Sequence, residues 1–193
     1  PNGNYVRNGL QSINVSFYSN EPASCKWSLT DTGYEVMPNK MSCNLNTFNP
    51  SVNNLYECST VLSGIKDDAV NKYYVKCQDR SNNTMQQSYS YTLIGTIPLS
   101  IVEKGPSGKV AASILTVKTA DGATKDGKSI CGYGQQDNLA SMIQFLSTDS
   151  NMHSQKLALE DGTHTLYIKC LDEAGNLASD SVTFTSFTDK LAP

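Results

Sequence analysis

Two residue types in this 193-residue chain are candidates for chemistry: six cysteines and two histidines. An even cysteine count, in pairs that fall sensibly along the chain, favours disulfides formed in an oxidising compartment. Free thiols in the core of a cytosolic protein are the alternative. A zinc site is a third, but no Cys-x-x-Cys occurs and neither histidine stands near cysteines in a ligand pattern. Hydrolysis needs a base set against a nucleophile and a third group that orients the base. His164 falls at an inward-facing strand position and reads as packed or bonded to backbone. His153, in the polar stretch Asp149-Ser150-Asn151-Met152-His153-Ser154, reads as a surface loop residue. The acidic pairs Asp67-Asp68 and Asp172-Glu173 lack the spaced Asp series of a calcium loop and read as turn residues. No glycine-rich phosphate loop leads from a strand into a helix. The sequence therefore assigns no catalytic or metal-ligating residue, implies no cofactor, and predicts that the chain is not an enzyme.

The cysteines sit in elements that occur twice. Tyr73-Tyr74-Val75-Lys76-Cys77-Gln78-Asp79 runs on into Arg80-Ser81-Asn82-Asn83, and Leu166-Tyr167-Ile168-Lys169-Cys170-Leu171-Asp172 into Glu173-Ala174-Gly175-Asn176. Both alternate with period 2, the mark of a strand with one face on a core, and end in turn residues. Upstream, Val15, Phe17 and Ser19 face inward with Ser16 and Tyr18 outward; Leu115, Val117 and Thr119 repeat this against Thr116 and Lys118. Cys25-Lys26-Trp27 then matches Cys131-Gly132-Tyr133, with the aromatic on the face of its cysteine. The first copy holds 13 more residues between its shared cysteines than the second, and Cys43 and Cys58 lie in that longer region. The alignment predicts Cys25–Cys77, Cys131–Cys170 and, closing an inserted loop at about residues 38–60, Cys43–Cys58. For loops as long as those of the two shared pairs the chain-entropy model gives about 4 kcal/mol per bridge.

An internal repeat in a chain of this length predicts two domains, 1–95 and 96–193. Short strands with turns roughly every ten residues read as β-sandwiches. Charged residues make up 17% and the net charge is −3, so no basic face for nucleic acid is implied. No apolar run approaches the roughly 18 residues of a membrane-spanning helix. The segment Leu93–Ile101 is apolar and contains Pro98, unlike a flexible Gly/Ser linker.

The pattern resembles the immunoglobulin-like and fibronectin type III-like repeats of prokaryotic cell-surface proteins. The residues that carry the likeness are Asp161-Gly162-Thr163-His164-Thr165-Leu166 followed by Asp172–Asn176, which look like a penultimate strand and its hairpin turn. Asn20-Glu21-Pro22-Ala23-Ser24-Cys25-Lys26-Trp27-Ser28 looks like the hairpin between the second and third strands. The resemblance implies an all-β chain of two tandem Ig-like β-sandwich domains stapled by disulfides. Val75 and Ile168 stand where antibody-type domains keep a tyrosine, so an antibody-like domain is excluded. The first shared cysteine of each copy opens the third strand, which predicts bridges between neighbouring strands of one sheet.

Pro1-Asn2-Gly3 aligns with Pro106-Ser107-Gly108, so the first copy shows no equivalent of Leu99–Val102, and the second ends at Leu191-Ala192-Pro193 where a strand is expected to follow. Both ends read as cut mid-unit in a trimmed fragment. Either the chain is a section of a longer array, or strands are donated between subunits by β-augmentation. Both readings predict an open first-strand edge on the first unit, with Pro1, Asn2, Gly3, Leu191, Ala192 and Pro193 as the interaction edge. Asn14-Val15-Ser16 and Asn82-Asn83-Thr84 are glycosylation sequons. The expected role is a non-enzymatic extracellular module of a surface protein, stalk or filament, partnered by neighbouring copies or adjacent Ig-like units. Adhesion or carbohydrate binding, through exposed Tyr18, Tyr74 and Tyr167 to surface glycans or proteins, is the alternative.

Overall fold

The computed structural model describes residues 2–111 and 113–188, leaving aside the side chain of Val52. Strands dominate, as the β-branched and aromatic alternation requires. They run β1 (Asn4–Val6), β2 (Ser12–Ser19), β3 (Ala23–Ser28), β4 (Asn39–Lys40), β5 (Ser42–Cys43), β6 (Tyr56–Ser63), β7 (Val70–Asp79) and β8 (Tyr89–Gly95). There follow β9 (Leu99–Gly105), β10 (Gly108–Val110), β11 (Ile114–Asp121), β12 (Ile130–Gly134), β13 (Ile143–Gln144), β14 (Met152–Lys156), β15 (Gly162–Leu171) and β16 (Leu177–Ser186). Contacts divide the chain into two compact units, Pro1–Asn4 with Gly9–Gly95 and Tyr5–Asn8 with Thr96–Pro193.

The first unit packs a sheet of order β1-β8-β7-β3-β4 against one of order β2-β6-β5. Its core holds Trp27, Leu62, Tyr73, Val75 and Leu93. The Trp27 ring meets Tyr73 edge-on at 5.5 Å, and its indole N–H donates to the Thr60 hydroxyl at 3.1 Å, so the one polar atom of a buried tryptophan is satisfied. The second unit repeats the plan with β10-β16-β15-β12-β13 facing β14-β11-β9. Leu115, Val117, Phe145, Leu166, Ile168, Val182 and Phe184 fill its core. The fold is all-β, two Ig-like sandwiches.

The three cystines are Cys25–Cys77, Cys43–Cys58 and Cys131–Cys170. Each joins residues directly opposite in neighbouring antiparallel strands: β3 with β7, β5 with β6, β12 with β15. The longer region of the first unit contributes β5, so Cys43–Cys58 fixes an edge strand as well as closing a loop.

One local expectation changes. The run Asp149–Ser154 contains the start of a strand, β14, whose antiparallel pairing with β11 sets Val117 opposite His153. The strand ahead of β2 matches β10 and not β9: β1 lies beside β8 as β10 lies beside β16.

Candidate functional site: a free strand edge

Equivalent strands in the two units differ in their neighbours. In the second unit β11 is central, with β14 on one side and β9 on the other. In the first, β2 pairs with β6 along its whole length, from Ser12 opposite Ser63 to Ser19 opposite Tyr56. Among the described residues no strand pairs with its other side. The consequence reaches the core. Leu115, Val117 and Thr119, which face inward from β11, are 0%, 1% and 1% exposed. Ile13, Val15 and Phe17, which face inward from β2, are only half-buried. Phe17 packs edge-on against Tyr91 at 5.3 Å and Tyr89 at 6.0 Å, and Tyr89 remains 46% exposed.

The residues that the sequence placed at an interaction edge divide. Pro1, Leu191, Ala192 and Pro193 lie outside the described residues. Asn2 and Gly3 are bound to β8, just ahead of β1, which is itself the edge strand of its sheet. The Thr92 amide donates to Asn2 Oδ1 at 2.6 Å, the Asn2 amide group to Ser90 O at 3.2 Å, and the Gly3 amide to Thr92 O at 2.7 Å. In the other sheet, β2 is open on one side among the described residues.

His153 is a correction. It is not a surface loop residue but 1% exposed inside the second unit. A polar run gave no sign of this, since its neighbours Ser150, Asn151 and Ser154 carry no apolar alternation. Nδ1 lies 2.9 Å from the Thr148 hydroxyl, and Nε2 lies 3.0 Å from Thr119 and 3.3 Å from Ser129. The Thr119 hydroxyl gives its proton to Gly127 O at 2.6 Å, so it accepts from Nε2–H, and Thr148 donates to Nδ1. The ring is thus a neutral Nε2–H imidazole, and burial pushes its pKa below the usual value. The sulfurs of Cys131 and Cys170 lie close by, but both are spent in the cystine and have no thiolate to offer a metal. His164 Nε2 contacts Glu160 O at 2.9 Å and the Ser186 hydroxyl at 3.1 Å. Neither histidine faces a nucleophile in an open cleft.

The acidic turns bind their own backbone. The Asp172 carboxylate accepts from the amides of Ala174 at 3.0 Å, Asn176 at 2.8 Å and Ala123 at 2.7 Å, and from the Asn176 side chain at 2.8 Å. Asp79 repeats the grip on Ser81 and Asn83, and the Asn83 side chain at 2.7 Å holds its carboxyl below the usual range. Asn14 is exposed on the outer face of β2, and Asn82 is exposed in this turn with φ 64°. Tyr18 and Tyr74 lie on opposite sheets of the first unit, on β2 and β7, and Tyr167 lies on β15 of the second.

No family model and no curated protein matches the chain. Among solved structures, the I-band fragment I67–I69 from titin aligns with a TM-score of 0.50 at 13% identity, over 94% of this chain and 62% of that fragment. A three-Ig structure of an E-to-A variant of titin domains I67–I69 gives 0.49 at 13% identity, over 95% and 62%. The DIP-gamma IG1+IG2 pair gives 0.39 at 10%, over 96% and 93%. At such identities the likeness is one of fold, tandem Ig-like domains, and it leaves function to the residues themselves. The three cystines fit an oxidising, extracellular or secreted setting, and among the described residues no helix is long and apolar enough to cross a membrane.

Proposed function

We propose that the chain is a non-enzymatic structural module of an extracellular surface protein, stalk or filament, partnered by adjacent units of the same kind. The observation that carries this reading is the cystine-stapled sandwich built twice, with Cys25–Cys77 and Cys131–Cys170 tying matching strands in the two units. In such a module the hydrogen-bonded ladders carry load, and the cystines limit how far each unit can stretch. Cys25–Cys77 encloses a sequence separation of 52 residues and Cys131–Cys170 one of 39. At about 3.5 Å per extended residue these hold back roughly 180 Å and 140 Å of chain.

Single-molecule pulling tests the reading. In oxidising buffer each unit should give a discrete unfolding event shortened by those lengths, and a reductant should restore them. Extension of both units without resolvable force, or full-length extension with the cystines intact, would refute a load-bearing role.

A further inference from the structure

The two cystines of the first unit touch, and each is layered the same way from solvent to core. Cys58 Sγ lies 3.4 Å from Cys25 Sγ, and the sulfurs of Cys25, Cys43 and Cys58 all stand within 4.8 Å of one another. Cys25 and Cys58 are 3% and 1% exposed, whereas their partners Cys77 and Cys43 are half-buried. Each bridge thus has an outer half near solvent and an inner half in the core, and the two inner sulfurs meet. We infer that these cysteines form a thiol–disulfide exchange site. Its substrate is a low-molecular-weight thiol, and its product is a Cys25–Cys58 bridge between the two sheets.

The chemistry converges from either side. An external thiolate attacks the sulfur it can reach, and the other sulfur of the bridge leaves as a thiolate. Attack at Cys43 forms a mixed disulfide there, breaks Cys43–Cys58 and leaves the Cys58 thiolate beside Cys25 Sγ. Cys58 then bonds to Cys25, the Cys25–Cys77 bond breaks, and Cys77 leaves as a thiolate that takes a proton from water. A second external thiol attacks the mixed disulfide and releases Cys43 as a thiol. Attack at Cys77 runs the same steps in mirror: Cys25 is left as the thiolate, bonds to Cys58 and expels Cys43. By both routes two external thiols are oxidised to one disulfide and one protein bridge is reduced. The chain ends with Cys25–Cys58 and with thiols at Cys43 and Cys77. Burial sets the direction, because a thiolate in an apolar core is costly and the exchange moves its charge outward.

The second unit sets the contrast. Cys131 and Cys170 are both 0% exposed, so their bridge has no outer half for a thiol to reach. No other cystine stands beside it; its neighbours are the Ser129 hydroxyl, 3.9 Å from Cys131 Sγ, and the His153 ring. The response is therefore confined to the first unit. There it replaces two ties between neighbouring strands, β3 to β7 and β5 to β6, with one tie between β3 and β6 of the facing sheets. The edge strand β5 loses its covalent anchor, and the locked span of chain falls from a separation of 52 residues to one of 33.

The test treats the whole oxidised chain at pH 8 with a small excess of reduced glutathione. Samples are quenched with acid, free thiols are alkylated, and the bridges are read by peptide mapping without reduction. The expected result is a Cys25–Cys58 peptide, with alkyl label on Cys43 and Cys77 in equal amounts. Label at these two should run about tenfold or more ahead of label at Cys131 and Cys170. In the double variant Cys25→Ser, Cys77→Ser the label should instead fall on Cys43 and Cys58. Four results would overturn the proposal: no label on any cysteine; label confined to the two halves of one native bridge, with no Cys25–Cys58 peptide; Cys131 and Cys170 labelled as fast as Cys43 and Cys77; or Cys25–Cys58 found only together with bridges to Cys131 or Cys170, the mark of an unfolded chain. None of these bears on whether the units hold load in the pulling experiment, so the two readings fail separately.

Discussion

The buried imidazole of His153 makes the second unit sensitive to acid. Its two nitrogens are satisfied only in the neutral form, by Nε2–H to Thr119 and by the Thr148 hydroxyl to Nδ1. Protonation would require Thr148 to turn its proton away, and the alternative acceptor, Ser129 O, lies 3.4 Å off. Burial lowers the folded-state pKa. The unfolded chain then binds the proton first, so stability is flat above the free imidazole value of about 6.5 and falls as pH drops below it. The limiting slope from one such group is about 1.4 kcal/mol per pH unit, and because the unfolded imidazole is half protonated at pH 6.5, acidification from pH 6.5 to 5.5 removes at most about 1 kcal/mol. Urea titrations at several pH values, followed at the Leu166 and Ile168 methyl signals, report the second unit alone, which matters because a two-unit chain does not unfold as a single two-state system. His153→Gln keeps a polar group among the hydroxyls and removes the titration. Equal pH slopes in the two proteins would refute the argument.

Three further outcomes test the packing. Gly122 has φ +78°, and a Cβ there would stand 2.7 Å from Asp172 Oδ2 and 3.0 Å from Leu99 Cδ1, so Gly122→Ala should cost about 1–3 kcal/mol in urea titration of the second unit. Trp27→Phe deletes the donor to Thr60 and part of the edge contact with Tyr73, and should lower the stability of the first unit by about 1–3 kcal/mol. The sulfurs of Cys58 and Cys25 lie 3.4 Å apart, so in Cys43→Ser the freed Cys58 thiolate is placed to attack Cys25 Sγ and release Cys77 as thiolate. Peptide mapping of that variant at pH 8 should find Cys25–Cys58 alongside Cys25–Cys77, and the native pair alone would refute the exchange.

The sequence by itself determined the repeat, the strand parities and the cysteine partners. Those are local: Tyr73-Val75-Cys77 and Leu166-Ile168-Cys170 carry the same period-2 pattern, and the face that is buried follows from it. Parity says which side chains point inward; it does not say what lies across from them. Only the tertiary structure decided that His153 stands opposite Val117 under a cover of hydroxyls, because the pairing of β14 with β11 spans some thirty-five residues and leaves no trace in a polar run. The same limit applies at the start of the chain. Asn2 and Gly3 carry turn-like residue types, yet β8 binds them. An inward valine reads alike in either strand; its burial depends on a neighbour that β11 has in β9 and β2 does not have among the described residues.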